Sequence, residues 1–229
     1  MLKYTIIHVN DRAKENIEYN KNILKDYEYV NDIEFFNGNI KNPWDEMHHR
    51  NIRTDSWNPY DGRTFPPLPG ELGIWLSVIN TWDYIVENNI EYMLVLEDDV
   101  KLNESAIENL QILLDELPQD WSFLSLHYFD GQNNFDESTN IDAKYIHRSI
   151  NQLSAGQAII YSKSGATKLK KLVRRKGIEY TSDCFIFEQS RVGSISGYSI
   201  KPDTINFLVH DYKKIKSLID PLNVRNTHG

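Results

Sequence analysis

Short apolar runs alternating with amphipathic stretches predict an α/β fold with a mostly parallel central sheet flanked by helices. Three observations carry this. The apolar run Tyr4 to Val9 is followed by a charged stretch in which Ile17, Ile23, Leu24 and Tyr27 recur at roughly helical spacing. A one-sided apolar helix begins near Gly70, and the run Tyr92 to Leu96 reads as a central strand. With 229 residues, a single domain over 1–229 is expected, with a long loop at about 37–69.

The elements follow in order. After the first strand and helix, Ile33 to Phe36 reads as a second strand and Asn37-Gly38-Asn39 as a turn. The aperiodic stretch to Pro69 holds Trp44, His48, His49 and Trp57, residues suited to a lid over a ligand. Leu72, Trp75, Leu76, Ile79, Trp82 and Val86 share one helix face, which places both tryptophans in the core. Asn103 is suited to cap a helix with the stripe Ile107, Leu110, Leu113, Leu114 and Leu117, stopped by Pro118. Trp121 to Leu126 is a further strand, and Asp130 to Asp142 a polar loop. Ala158 to Tyr161 is a strand followed by a helix capped by Ser162 and ending in Arg174-Arg175-Lys176. Tyr198 to Ile200 and Ile205 to Val209 complete the set as short strands.

Composition narrows the function. With 40% hydrophobic and 25% charged residues, the chain is neither disordered nor a coiled coil. One cysteine, Cys184, excludes an internal disulfide framework and suits a reducing compartment, so a cytoplasmic location is expected. No signal peptide is read at Met1 to Val9, and no segment approaches the roughly 20 apolar residues of a membrane span. A formal net charge of -8 requires any polyanion to be met by a local basic patch or through a cation, and argues against nucleic acid as a partner.

Glu97-Asp98-Asp99 closes the central apolar strand, at the sheet edge where ligands bind in such folds. Crowded carboxylates raise one another's pKa unless a cation is present, and hard oxygen ligands favour Mg2+ or Mn2+. If the strand pleat persists to Asp99, Glu97 and Asp99 point to one side and Asp98 to the other. The alternative is a solvated acidic turn ahead of the Asn103 helix.

Several spaced blocks resemble glycosyltransferase family 25, the lipooligosaccharide-biosynthesis and collagen-galactosyltransferase group. Val9-Asn10-Asp11-Arg12 is similar to the family's Asn-Leu-Asp-Arg, one residue shorter. Gly70-Glu71-Leu72-Gly73-Ile74-Trp75-Leu76-Ser77 resembles its Gly-Glu-x-Gly-Cys-x-x-Ser-His helix, with Ile74 and Val78 in place of Cys and His. Leu96-Glu97-Asp98-Asp99-Val100 matches the acidic motif without change. Gly156 to Tyr161 with Ser164-Gly165-Ala166 resembles the later strand and helix, and Ser182-Asp183 sits where the family has an aspartate. The resemblance implies a GT-A type fold, a nucleotide-sugar donor (usually UDP-hexose), Mn2+ or Mg2+, and inverting transfer to a glycan or other hydroxyl acceptor.

The resemblance assigns the metal to Asp99, with Glu97 and Asp98 supporting the metal or the donor's ribose. His210 could complete the coordination shell, as a late histidine does in several GT-A enzymes, or be an ordinary hydrogen-bonded residue. Inverting transfer needs a base, for which Asp183 is the first candidate and Glu188 the reserve; Asp183 also suits a helix cap. Asn10 and Arg12 are suited to contact the nucleotide, Arg12 equally to be a solvated helix-start residue. Glu71 could accept from a sugar hydroxyl or complement a helix N-terminus. The competing readings are a nucleotidyltransferase and a non-catalytic module that binds a glycan or nucleotide sugar.

Overall fold

A computed structural model describes residues 2–8, 13–36, 41–57, 66–127, 139–150, 156–201 and 204–209. β1 (Lys3–Ile7) leads through α1 (Lys14–Ile23) to the edge strand β2 (Glu28–Tyr29). Next come α2 (Pro43–His49), α3 (Pro69–Glu87), β3 (Tyr92–Glu97), β4 (Lys101–Leu102), α4 (Glu104–Ile107), α5 (Leu110–Glu116) and β5 (Phe123–Ser125). The remainder holds β6 (Ile146–Arg148), β7 (Ala158–Ser162), α6 (Lys163–Lys176), α7 (Ser182–Arg191), β8 (Gly197–Ile200) and β9 (Leu208–Val209).

Seven strands form one sheet in the order β2-β1-β3-β7-β5-β8-β6, while β4 and β9 pair separately. β1 is parallel to β2 and β3, and β5 to β8. β7 is antiparallel to both β3 and β5, and β6 opposes β8. Most strands therefore share one direction, as expected, with a reversed strand at the centre. That reversal brings the start of β7 to the carboxyl ends of β3 and β5.

Side-chain alternation along β3 divides the core into two layers. Met93 and Val95 pack with Trp75, Trp82, Leu169 and Phe185 of α3, α6 and α7, whereas Leu94 and Leu96 pack with Ile17, Leu110 and Leu113 of α1 and α5. Full burial of each such side chain contributes about 1.5–3 kcal/mol. Both tryptophans are core residues; Trp75 lies 5.2 Å from the Phe185 ring and donates its indole N–H to the Tyr180 carbonyl at 2.8 Å. Ser162 caps α6 by accepting from Gly165 N–H at 2.9 Å and donates to the Trp121 carbonyl at 2.7 Å. A Cβ on Gly165 would lie 2.0 Å from the Ser122 carbonyl oxygen, so only glycine lets α6 rest on that backbone.

Five expectations require correction. Ile33 to Phe36 is not a strand: Phe36 N–H donates to Ser77 Oγ and Asn80 donates to the Glu34 carbonyl, so α3 takes the place of a strand partner. The long loop contains α2, started by Asn42, whose side chain accepts from Trp44 N–H, with Pro43 in the first turn. Trp57 is buried in the core and Trp44 packs against it, which removes them from a lid; His48 and His49 remain exposed. Asn103 does cap a helix, but the stripe is split between α4 and α5. The segment from Ile205 forms a strand only at Leu208–Val209, and this pairs with β4 outside the main sheet. Among the described residues, no helix is long and apolar enough to cross a membrane.

Candidate active site

β3 delivers Glu97 to the carboxyl edge of the sheet, opposite Ile7 of β1, and its N–H donates to the Gln157 carbonyl at 2.9 Å. Alternation from Met93 and Val95 directs the Glu97 side chain to the face covered by α3, α6 and α7. The first turn of α7 brings Asp183 to the same place. A Cβ added to Gly156 would lie 3.0 Å from Asp183 Cβ and 3.3 Å from Glu97 Oε1. The two acids thus converge on a position that has no side chain.

Their environment is electrostatically crowded. Burial, together with the neighbouring charges of Asp99, Asp183 and Asp98, pushes the Glu97 carboxyl up to about 8. Part of the residue still reaches the surface, but the carboxyl is enclosed by protein. Beneath them, burial also raises the Tyr161 phenol, with Asp183 and Glu97 adding to the effect. Asp183 Oδ1 accepts from Thr181 Oγ1 at 2.7 Å and from Cys184 N–H at 2.8 Å, which fixes the carboxylate's orientation. This places Asp183 inside the first turn of α7, whose N-cap residue is Thr181.

The strand pleat does not persist to Asp99. β3 stops at Glu97, and Asp98 and Asp99 form a turn, because α1 takes hold of the chain there. Asn16 donates to the Asp98 carbonyl at 3.1 Å. One helical turn on, Asn20 donates to the Val100 carbonyl at 2.9 Å and accepts from Leu102 N–H at 2.9 Å. Both asparagines are buried, and together they set the position of the acidic turn.

His127 and Gln157 belong to this edge and were not picked out from sequence. His127 Nδ1 lies 2.8 Å from Gln157 Oε1, and the histidine is 2% exposed. Gln157 is therefore shared between the ends of β3 and β5. The signal that singled out Glu97, a polar residue directly after an apolar strand, applies equally to His127, which follows Trp121 to Leu126.

The other expected site residues are placed differently. Glu71 is 4% exposed and its Oε2 accepts from Leu68 N–H at 2.7 Å, the helix-start contact. Glu188 is held by Arg191 through two hydrogen bonds of 2.6 and 2.7 Å, and five residues along a helix place it on a different side from Asp183. Val78 is buried in the core and Ile74, partly buried, packs against it. Asn10, Arg12 and His210 lie outside the described residues.

Hard oxygen donors crowded enough to keep one of them protonated suit a divalent cation, which removes the repulsion. Among the described residues, no group of three His, Cys, Asp or Glu side chains already stands as a metal site. Glu97 and the aspartates of the turn are the donors available, with further positions left to a ligand's oxygens. Chemically, the edge offers a cation-compatible cluster beside an oriented carboxylate, suited to phosphate-linked substrates and to proton abstraction.

Residues 32–223 match the model of glycosyltransferase family 25 (LPS biosynthesis protein). A "Putative glycosyltransferase" of Haemophilus influenzae is 33% identical over 121 residues, 52% of this chain and 42% of that protein. Procollagen galactosyltransferase 1-B of Xenopus laevis is 40% identical over 72 residues, 30% of this chain and 12% of that protein. Procollagen galactosyltransferase 2 of Homo sapiens is 33% identical over 70 residues, 29% of this chain and 11% of that protein. The matched region is thus less than half the length of each of these relatives. Among solved structures, the crystal structure of A197 from STIV resembles the chain with a TM-score of 0.45 and 12% identity, covering 95% of this chain and 98% of that one, too slight a likeness to add to the fold described above. With the family model spanning most of its length, the chain belongs to glycosyltransferase family 25.

Proposed function

We propose that this chain transfers a hexose from a UDP-sugar to a hydroxyl acceptor, a glycan by first choice, with inversion and with Mn2+ or Mg2+ as cofactor. The observation that carries the reading is the convergence of Glu97 and Asp183 on Gly156, at the sheet edge where Asp98 and Asp99 emerge. A GT-A type arrangement of the nucleotide is part of the same proposal.

Asp99 would hold the cation, with Glu97 and Asp98 supporting it or the donor's ribose and the remaining positions left to the donor's oxygens; when bound, the cation would supply positive charge to offset the diphosphate leaving group. The asparagines of α1 keep the turn that carries these acids in register with the sheet. Asp183 receives the proton of the acceptor hydroxyl at Oδ2, while Thr181 and Cys184 hold Oδ1 and prevent the carboxylate from rotating. Gly156, having no side chain, lets Glu97 and Asp183 come close to one another, and the Gln157 and His127 pair ties together the strand ends beside them.

The test is UDP release from a panel of UDP-hexoses with Mn2+, then with chelator. Turnover that survives chelation, or full activity in Asp99→Asn, overturns the metal role. No release from any UDP-sugar overturns the donor assignment.

A further inference from the structure

A second cleft lies at the opposite edge of the sheet, where β3 begins. Tyr92 and Glu97 are the two ends of β3, so at about 3.3 Å per residue the cleft is about 17 Å from the acidic edge. Its volume of about 660 Å3 is in the range of ligand pockets and exceeds what one pyranose ring needs. We propose that this cleft is a second carbohydrate-binding site, which holds neutral sugar residues of a glycan away from the reacting centre. The role of holding a glycan for a reacting centre rests on the transfer reading, whereas sugar binding in the cleft is tested without it.

The lining argues for sugar. Trp121 and Tyr92 are only partly buried and stand 6.2 Å apart with their rings tilted by 44°, giving an aromatic platform whose faces suit the C–H surface of a pyranose. Around it are Asn89, Gln111 and Gln119, with the carboxylates of Glu91 and Asp115. Amides and carboxylates beside an aromatic face match the alternating hydroxyl and C–H surfaces of a sugar. Burial raises the Tyr92 phenol and Glu91 and Asp115 add to it, which keeps it a neutral hydrogen-bonding group and places both acids around it.

The same lining disfavours a phosphate or nucleotide. Among the lining residues the single cation, Lys163, is hydrogen-bonded to Asn89 and is outnumbered by the two carboxylates Glu91 and Asp115. The start of α6 also opens here, but Ser162 already accepts from Gly165 N–H, so that terminus is capped from within the chain. A neutral polyol is the ligand class left by both arguments.

The experiment is calorimetric titration of the full chain, in chelator and without any nucleotide, with lactose, N-acetyllactosamine and maltotriose. Saturable binding of at least one is expected, weakened at least about tenfold in Trp121→Ala, as for an aromatic anchor. Because Trp121 also packs on the core, the exposed-wall variants Gln111→Ala and Gln119→Ala provide the second reading, each expected to weaken binding about threefold or more. Absence of binding to all three sugars overturns the proposal. So does binding that is unchanged in the cleft variants, or that is abolished by Asp183→Asn, which would locate the sugar at the acidic edge.

Discussion

Glu97 and Asp183, 86 positions apart in the chain and carried by a strand and a helix, meet across Gly156, whose missing side chain is the space between them. The strand supplies one acid because its carboxyl end opens on the sheet edge. The helix supplies the other because the segment after α6 returns across the same face, held by the Tyr180 carbonyl on the Trp75 indole.

Gly156→Ala should therefore act on catalysis before stability. The new methyl would press on Asp183 Cβ at 3.0 Å and Glu97 Oε1 at 3.3 Å, so the two side chains must shift by a few tenths of an ångström. Overpacking of this kind costs roughly 1–3 kcal/mol. A displaced proton acceptor is expected to lower kcat about tenfold to a hundredfold, since positioning errors of this order are felt strongly. Steady-state UDP release together with urea unfolding separates the two effects. Unchanged kcat in a folded variant would show that the acids do not act across this gap.

The two candidates for the base are separated by their partners. Asp183→Asn keeps the contacts to Cys184 and Thr181 in shape but removes the proton acceptor, so transfer should fall about 100-fold to 10,000-fold. Glu188→Gln should change transfer less than about threefold, because Glu188 is held by Arg191 and does not stand at the approach between Glu97 and Asp183. The reverse ranking in acceptor-dependent assays would reassign the base to Glu188.

Asn16 and Asn20 differ in what they hold, and the difference is measurable. Asn20 is fully buried and serves the Val100 carbonyl and the Leu102 N–H, on either side of Lys101, so Asn20→Ala leaves two buried backbone groups without partners. A loss of about 2–5 kcal/mol in unfolding free energy is expected. Asn16 holds the Asp98 carbonyl, so Asn16→Ala should cost about 1 kcal/mol while raising the Mn2+ concentration needed for activity, by letting the acidic turn move. Equal loss of stability in both, with no change in the Mn2+ concentration needed for activity, would count against their role in positioning the turn.

Sequence periodicity revealed those elements whose burial is one-sided or complete. β3, α3 and α6 are of this kind, and Ser162 was recognisable as a cap because the cap contact is local. Ile33 and Phe36 misled because an apolar run signals burial and not a strand partner; here the partner is Ser77 and Asn80 of a helix. β6 was missed because it is three residues long and buries a histidine, His147, beside one apolar residue, Ile146, so no apolar alternation marks it. Of the acidic edge, Glu97-Asp98-Asp99 was legible as the end of an apolar strand, and Asp183 through the family resemblance. Asn16, Asn20 and Gly156 act through residues 27 to 82 positions away, a distance at which no local pattern reports.

His147 makes that buried polar position a test of the fold. The residue is 2% exposed, and burial lowers its pKa from 6.5 to about 4, with Lys201 adding and the backbone contacts at Arg148 and Ile200 opposing. Between these values the unfolded chain binds a proton that the folded chain does not, so the unfolding free energy rises with pH. The contribution is complete above about pH 6.5 and is lost as the pH falls toward 4. His147→Gln removes the titration, so its curve of stability against pH should be flatter than that of the unmodified chain over this window. The gap between the two should change by about 1.4 kcal/mol per pH unit at most, about 3 kcal/mol in all. Urea unfolding at half-unit steps from pH 7.5 to 4.5 measures it, and two parallel curves would mean that His147 is not held neutral inside the sheet.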